Sequence, residues 1–121
     1  MAKNILVIDD DGFVSRSLCQ LLTRNGFHAD AREGAQGLFD EIFSRHIDLM
    51  VVDIMMPQIN GVELVKQIKD YLKTHHKKDI PVVFITGYPD APEAQDARSL
   101  GVVLAKPFDN DDLLQALANY F

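Results

Sequence analysis

The sequence holds a single cysteine, Cys19, which excludes an internal disulfide framework and a cysteine-based zinc site. No apolar stretch approaches the roughly 20 residues that a membrane-spanning helix requires. The first apolar run, Ile5 to Ile8, is also too short for a secretory leader and lacks a cleavage site, so a cytoplasmic protein with no membrane contact is expected. Basic residues are outnumbered, with 12 Lys and Arg against 18 Asp and Glu. The resulting net charge of −6 argues against a nucleic-acid-binding surface. Internal repeats, low-complexity tracts and long linkers are missing. No glycine-rich phosphate loop follows the first apolar run, where Asp10-Asp11-Gly12 stands instead. What remains is a globular composition, 47% apolar and 25% charged over 121 residues, which fits one domain spanning residues 1–121.

Short apolar runs alternate with helical patterns. The runs are Ile5 to Ile8, Phe27 to Ala31, Leu49 to Val52, Val82 to Ile85 and Val102 to Leu104. Those nearly continuous in Val, Ile and Leu suit parallel strands buried on both faces, whereas the alternating run from Phe27 suits an outer strand. Between them, Val14, Leu18, Leu21 and Leu22 form one helical stripe. Ala35, Leu38, Phe39, Ile42 and Phe43 form a second, and Leu64, Val65, Ile68, Tyr71 and Leu72 a third. Leu113, Leu114, Leu117 and Phe121 form the last. Gly26 follows the first helix, where a left-handed cap is wanted. The segment from Asp90 to Leu100 offers Ala91, Ala94, Ala97 and Leu100 as its inner face, which predicts a weakly anchored helix. The fold class is therefore α/β, (βα)5, with a five-stranded parallel sheet and helices on both faces. Of the strand orders open to it, flavodoxin-like 2-1-3-4-5 is preferred.

In such sheets ligands bind beyond the carboxyl ends of the strands. Asp9, Asp10 and Asp11 follow the first run, Asp53 the third, Thr86 and Gly87 the fourth, and Lys106 and Pro107 the fifth. Crowded carboxylates resist ionisation unless a cation neutralises them, and Mg2+ does so through oxygen ligands. A carboxylate can act as a nucleophile toward phosphorus, and a nearby lysine and hydroxyl can stabilise the transferred group. Asp11 is also placed to cap the first helix. The tract His75-His76-Lys77-Lys78 reads as a solvated helix exit.

Read in order, these pieces resemble the receiver domain of two-component response regulators, chemotaxis-regulator-like in extent. The matching stretches are Ile5 to Asp11, Asp48 to Pro57, Asn60-Gly61, Pro81 to Gly87, and Gly101 with Lys106-Pro107-Phe108. The resemblance implies a phosphoacceptor switch. Asp53 would accept a phosphoryl group from a histidine kinase or histidine phosphotransfer protein. Asp9, Asp10, Asp53 and the Met55 backbone carbonyl would hold Mg2+. Thr86 would bond a phosphoryl oxygen, and Lys106 would pair with Asp53 or the phosphoryl group. A cis peptide is expected at Lys106–Pro107. An output protein or domain would read the change, and a dimer is compatible with the resemblance.

Val103 departs from the pattern, standing where the family often has an aromatic residue. Met55 and Tyr88 are expected to shape the rate of dephosphorylation. An aspartate-nucleophile phosphohydrolase is disfavoured, because Met55 occupies the place of its second Asp. No enzymatic activity is expected beyond the chain's own phosphorylation and dephosphorylation. The alternative is a phosphorylation-independent interaction module on the same fold.

Overall fold

Successive residues of the central strands face opposite ways, and each face carries its own apolar layer. The computed structural model describes residues 2–121. The strands are β1 (Asn4–Ile8), β2 (His28–Arg32), β3 (Leu49–Asp53), β4 (Val82–Thr86) and β5 (Val102–Ala105). The helices are α1 (Gly12–Arg24), α2 (Leu38–Ser44), α3 (Gly61–Thr74), α4 (Pro92–Ala97) and α5 (Asn110–Ala118). All pairings are parallel and the sheet order is β2-β1-β3-β4-β5, as the alternation and the preferred order predict. Leu6, Ile8, Met50, Val52, Val82 and Phe84 pack with α2, α3 and α4. Ile5, Val7, Leu49, Val51, Val83 and Ile85 pack with α1 and α5.

Helix ends follow local chemistry. Asp11 accepts from the Phe13 and Val14 N–H groups and so caps α1. At the far end Gly26 has φ +89, its N–H donates to Thr23 O, and the Phe27 N–H donates to Leu22 O. That pair of bonds is a Schellman motif, with Phe27 and Leu22 supplying its apolar contact. Asp109 and Asp112 form a reciprocal capping box at the start of α5.

Five expectations need correction. The outer strand begins at His28, because Phe27 is taken up by the Schellman turn. Ala35 lies before α2, which starts only after Gly37 at φ +72. Phe43 is half exposed, because α2 ends at Ser44 and turns this ring outward onto the end of α3. Phe121 lies beyond α5 and packs on Phe27. The weakly anchored helix is shorter than predicted. It spans Pro92–Ala97, lacks a side-chain cap, and buries only Ala94 and Ala97.

Candidate functional site

Parallel register gathers the acidic rim. Ile8 pairs with Val52 and Asp53 with Ile85, so Asp9 and Asp53 emerge side by side. Asp9 is fully buried and Asp53 is 5% exposed, while Asp10 faces solvent. Carboxylate oxygens of Asp9, Asp10 and Asp53 lie within 4.8 Å of one another. Short turns fix the two buried acids. Asp9 Oδ1 accepts from the Asp11 N–H at 2.9 Å, and Asp53 Oδ1 from the Met55 N–H at 3.2 Å.

Two further residues hold this frame. The Ser15 hydroxyl, buried on the inner face of α1, donates to Asp11 O at 2.8 Å and secures the loop after β1. The Gly61 N–H donates to Ile54 O at 2.7 Å, seating the start of α3 on the end of β3. A Cβ at Gly61 would stand 2.2 Å from Asp53 O, so only glycine allows this approach. In the sequence Gly61 stands out only within the Asn60-Gly61 stretch of the resemblance, and Ser15 has no assigned role. A polar residue on an apolar helical stripe was the one available signal.

Thr86 and Lys106 complete the rim. Thr86 pairs with Ala105, and the Lys106 N–H donates to Thr86 O at 2.7 Å. The Thr86 side chain is buried, and its Oγ1 accepts from the Tyr88 N–H at 2.9 Å, which leaves the hydroxyl proton free to donate. Lys106 Nζ stands 3.8 Å from Asp53 Oδ2 and 3.9 Å from Asp9 Oδ2, close enough for attraction and too far for a hydrogen bond. The Lys106–Pro107 peptide is cis, as the resemblance implies.

One lysine does not balance the buried acids. Burial raises the Asp53 carboxyl to about 7; the Asp9 charge adds to the rise and Lys106 opposes it. Asp9 is raised as well, chiefly by burial. Asp9 Oδ2 is buried and accepts no hydrogen bond. An orphaned carboxylate oxygen, beside two more carboxylates, is a donor set that fits a hard divalent cation.

Every residue predicted for the site therefore meets at one rim. Met55 is there as well, partly exposed and tied to Asp53 through its N–H. Val103 packs at the edge of the layer that holds α4. Among the described residues, no helix is long and apolar enough to cross a membrane.

The sequence profile of the response regulator receiver domain matches residues 5–118. The transcriptional regulatory protein FixJ of Bradyrhizobium diazoefficiens is 36% identical over 112 residues, covering 91% of this chain and 52% of that protein. The response regulator receiver protein CpdR of Brucella abortus is 29% identical over 121 residues, covering 95% and 93%. The chain thus spans about half the length of FixJ and nearly all of CpdR. Among solved structures, the response regulator TrrA of Thermotoga maritima, in complex with Mg2+-BeF, matches with a TM-score of 0.82 at 27% identity. That match covers 98% of this chain and 99% of TrrA. With the profile running from β1 through α5, the chain belongs to the response regulator receiver domain family, whose members serve as phosphoacceptor signalling switches.

Proposed function

We propose that residues 1–121 form one receiver domain in which Asp53 is the phosphoacceptor. The observation that carries this is the setting of its carboxylate, which is buried, flanked by Asp9 and Asp10, and 3.8 Å from the Lys106 ammonium. The donor is a phosphohistidine on a histidine kinase or a histidine phosphotransfer protein. An Asp53 oxygen forms the P–O bond as the P–N bond breaks. The freed imidazole nitrogen keeps the electron pair and takes a proton from water. Asp9, Asp10, Asp53 and the Met55 carbonyl would hold Mg2+. When bound, that ion offsets carboxylate charge and favours approach of the anionic phosphoryl group.

Lys106 pairs with the phosphoryl oxygens once Asp53 is an acyl phosphate. The Thr86 hydroxyl donates to another of them and draws the loop carrying Tyr88 with it, through the Thr86 Oγ1 to Tyr88 N–H bond. This biases two arrangements of the segment from Gly87 to Ala97, and a partner protein or output domain senses the difference. The chemistry stops at the chain's own phosphorylation and dephosphorylation, and the setting is the cytoplasm, where histidine kinases present their phosphohistidine.

The test is intact mass after incubation with acetyl phosphate, with and without Mg2+, on wild type and Asp53→Asn. The expected result is gain of one phosphoryl group that requires both Mg2+ and Asp53. Labelling of Asp53→Asn to the same extent would move the nucleophile elsewhere.

A further inference from the structure

A cleft of about 610 Å3 opens at the N-terminal ends of β1, β3 and β4, at the opposite end of the sheet from the acidic rim. The volume lies within the roughly 300–1,000 Å3 of small-ligand sites. Its floor is apolar, with Ile42, Ile47, Leu72 and Ile80. Its rim is cationic, since Lys3, Arg45, Lys77 and Lys78 face two carboxylates, Asp48 and Asp79. Those carboxylates are already engaged. Asp48 accepts from the Asn4 N–H at 2.8 Å and meets His46 Nε2 at 2.6 Å, and Asp79 pairs with Lys69 at 2.9 Å. Arg45 is held by Asp30 and Glu41. Among the described residues, Lys3, Lys77 and Lys78 have no carboxylate within ion-pair distance. Lys77 Nζ donates to Phe43 O at 2.6 Å, so the cluster is one of cations without carboxylate partners, on a chain of net charge −6.

Two phenylalanines complete the lining. Phe43 is 51% and Phe121 46% exposed, and both line the cleft. Each has an ammonium over its ring, Lys77 at 4.6 Å from the Phe43 centroid and Lys3 at 5.6 Å from that of Phe121. The loop that brings Lys77 there carries strain. His76 has φ 55, and the bonds from the His76 N–H to Lys73 O and the Lys77 N–H to Leu72 O form a Schellman motif with histidine in the glycine position. A left-handed conformation is costly for a residue that carries a Cβ, and such strain concentrates at functional positions.

We propose that this cleft binds a nucleotide. Its flat base would cover the apolar floor between Phe43 and Phe121, and its phosphates would draw the ammonium groups of Lys3, Lys77 and Lys78. A bare anion leaves the half-exposed rings of Phe43 and Phe121 wet, and a neutral aromatic compound leaves the lysines unused. A nucleotide answers both. The five residues of β3 set this site about 17 Å from the acidic rim.

The test is an amide-resolved NMR titration of the full chain with ADP, without Mg2+, alongside adenosine and pyrophosphate. ADP is expected to shift residues 43–48 and 77–80 saturably, and to bind at least about tenfold more tightly than either fragment. The double variant Lys77→Ala/Lys78→Ala is expected to lose about tenfold or more in ADP affinity, with amides outside the cleft unmoved. If that variant does not fold, Lys78→Ala, an exposed loop position, carries the test with a loss of several-fold. The proposal is overturned if ADP gives no saturable shift or binds no better than pyrophosphate. It is equally overturned if the shifts centre on Asp9, Asp53 and Lys106, or if the lysine variants bind ADP like wild type.

Discussion

At the carboxyl ends of the strands three carboxylates meet one lysine, whereas at the amino ends four cationic side chains surround a cleft with two engaged carboxylates. The two ends are also built differently. At the acidic rim each functional residue ends a strand or follows one within two residues, so chain direction and register assemble the site. At the basic end the residues come from Lys3, the exit of α2, the exit of α3 and the segment after α5. Burial separates them further. Asp9 and Asp53 are desolvated and shift their proton affinity, while the lysines stay near water, where charges are well screened. One sheet thus supports a site made of strain between like charges and a cleft made of spare cations.

The largest effect expected on this contrast comes from the backbone under the acidic rim. Gly61→Ala sets a methyl group against Asp53 O and should destabilise the fold by about 3 kcal/mol in urea titration, the upper end for overpacking. An unchanged midpoint would show that the seat of α3 is not tight.

Removing the charge at Asp53 comes next. Its carboxyl is raised from 3.8 to about 7, so between those values the folded state holds more protons than the unfolded chain. Stability of the metal-free protein should therefore fall as pH rises through that window. Asp53→Asn should remove most of the fall and stabilise the protein near pH 8 by on the order of 2 kcal/mol, less than the full shift because Asp9 shares the proton uptake. Mg2+ should stabilise wild type at the same pH by about 2.7 kcal/mol at a hundredfold excess over its Kd, and leave Asp53→Asn much less affected. Parallel melts of the two proteins with and without the ion decide this.

The smallest effect is at the basic end. His76→Gly should stabilise the fold by about 1 kcal/mol, since glycine adopts φ 55 without strain. Gly26 occupies the equivalent place after α1 at φ +89, so Gly26→His should reverse the sign by a similar amount. Equal melting of His76→Gly and wild type would mean that His76 is not strained.

Much of this was legible in the residues. The strands showed as runs of Val, Ile and Leu, and Asp9, Asp53, Thr86 and Lys106 each stood where a run stopped. Burial of both sheet faces and the parallel crossover rule turned that pattern into a fold. The basic cleft was not legible, because none of its segments carries a local signal. Lys77 and Lys78 read as a solvated helix exit, and only a left-handed histidine turns that exit toward Phe43. Phe43 fitted the helical stripe of α2, yet one residue short of the helix end the stripe no longer faces the core. Ser15 carried no assigned role, and Gly61 stood only within the Asn60-Gly61 stretch, since both act through contacts with main-chain oxygens.

Helix α4 has a consequence for the order in which the molecule opens. It has six residues, no side-chain cap, and only two buried alanines, whereas every residue of β3 is buried. In amide-exchange terms α4 belongs to the least protected unit and β3 to the most protected one. A force applied where Asp53 and Thr86 sit meets unyielding strands on one side and, a few residues along the chain, a helix held by two methyl groups and the exposed Lys66–Asp96 ion pair. The compliance of the protein is therefore uneven, and displacement concentrates in α4 before any strand gives way.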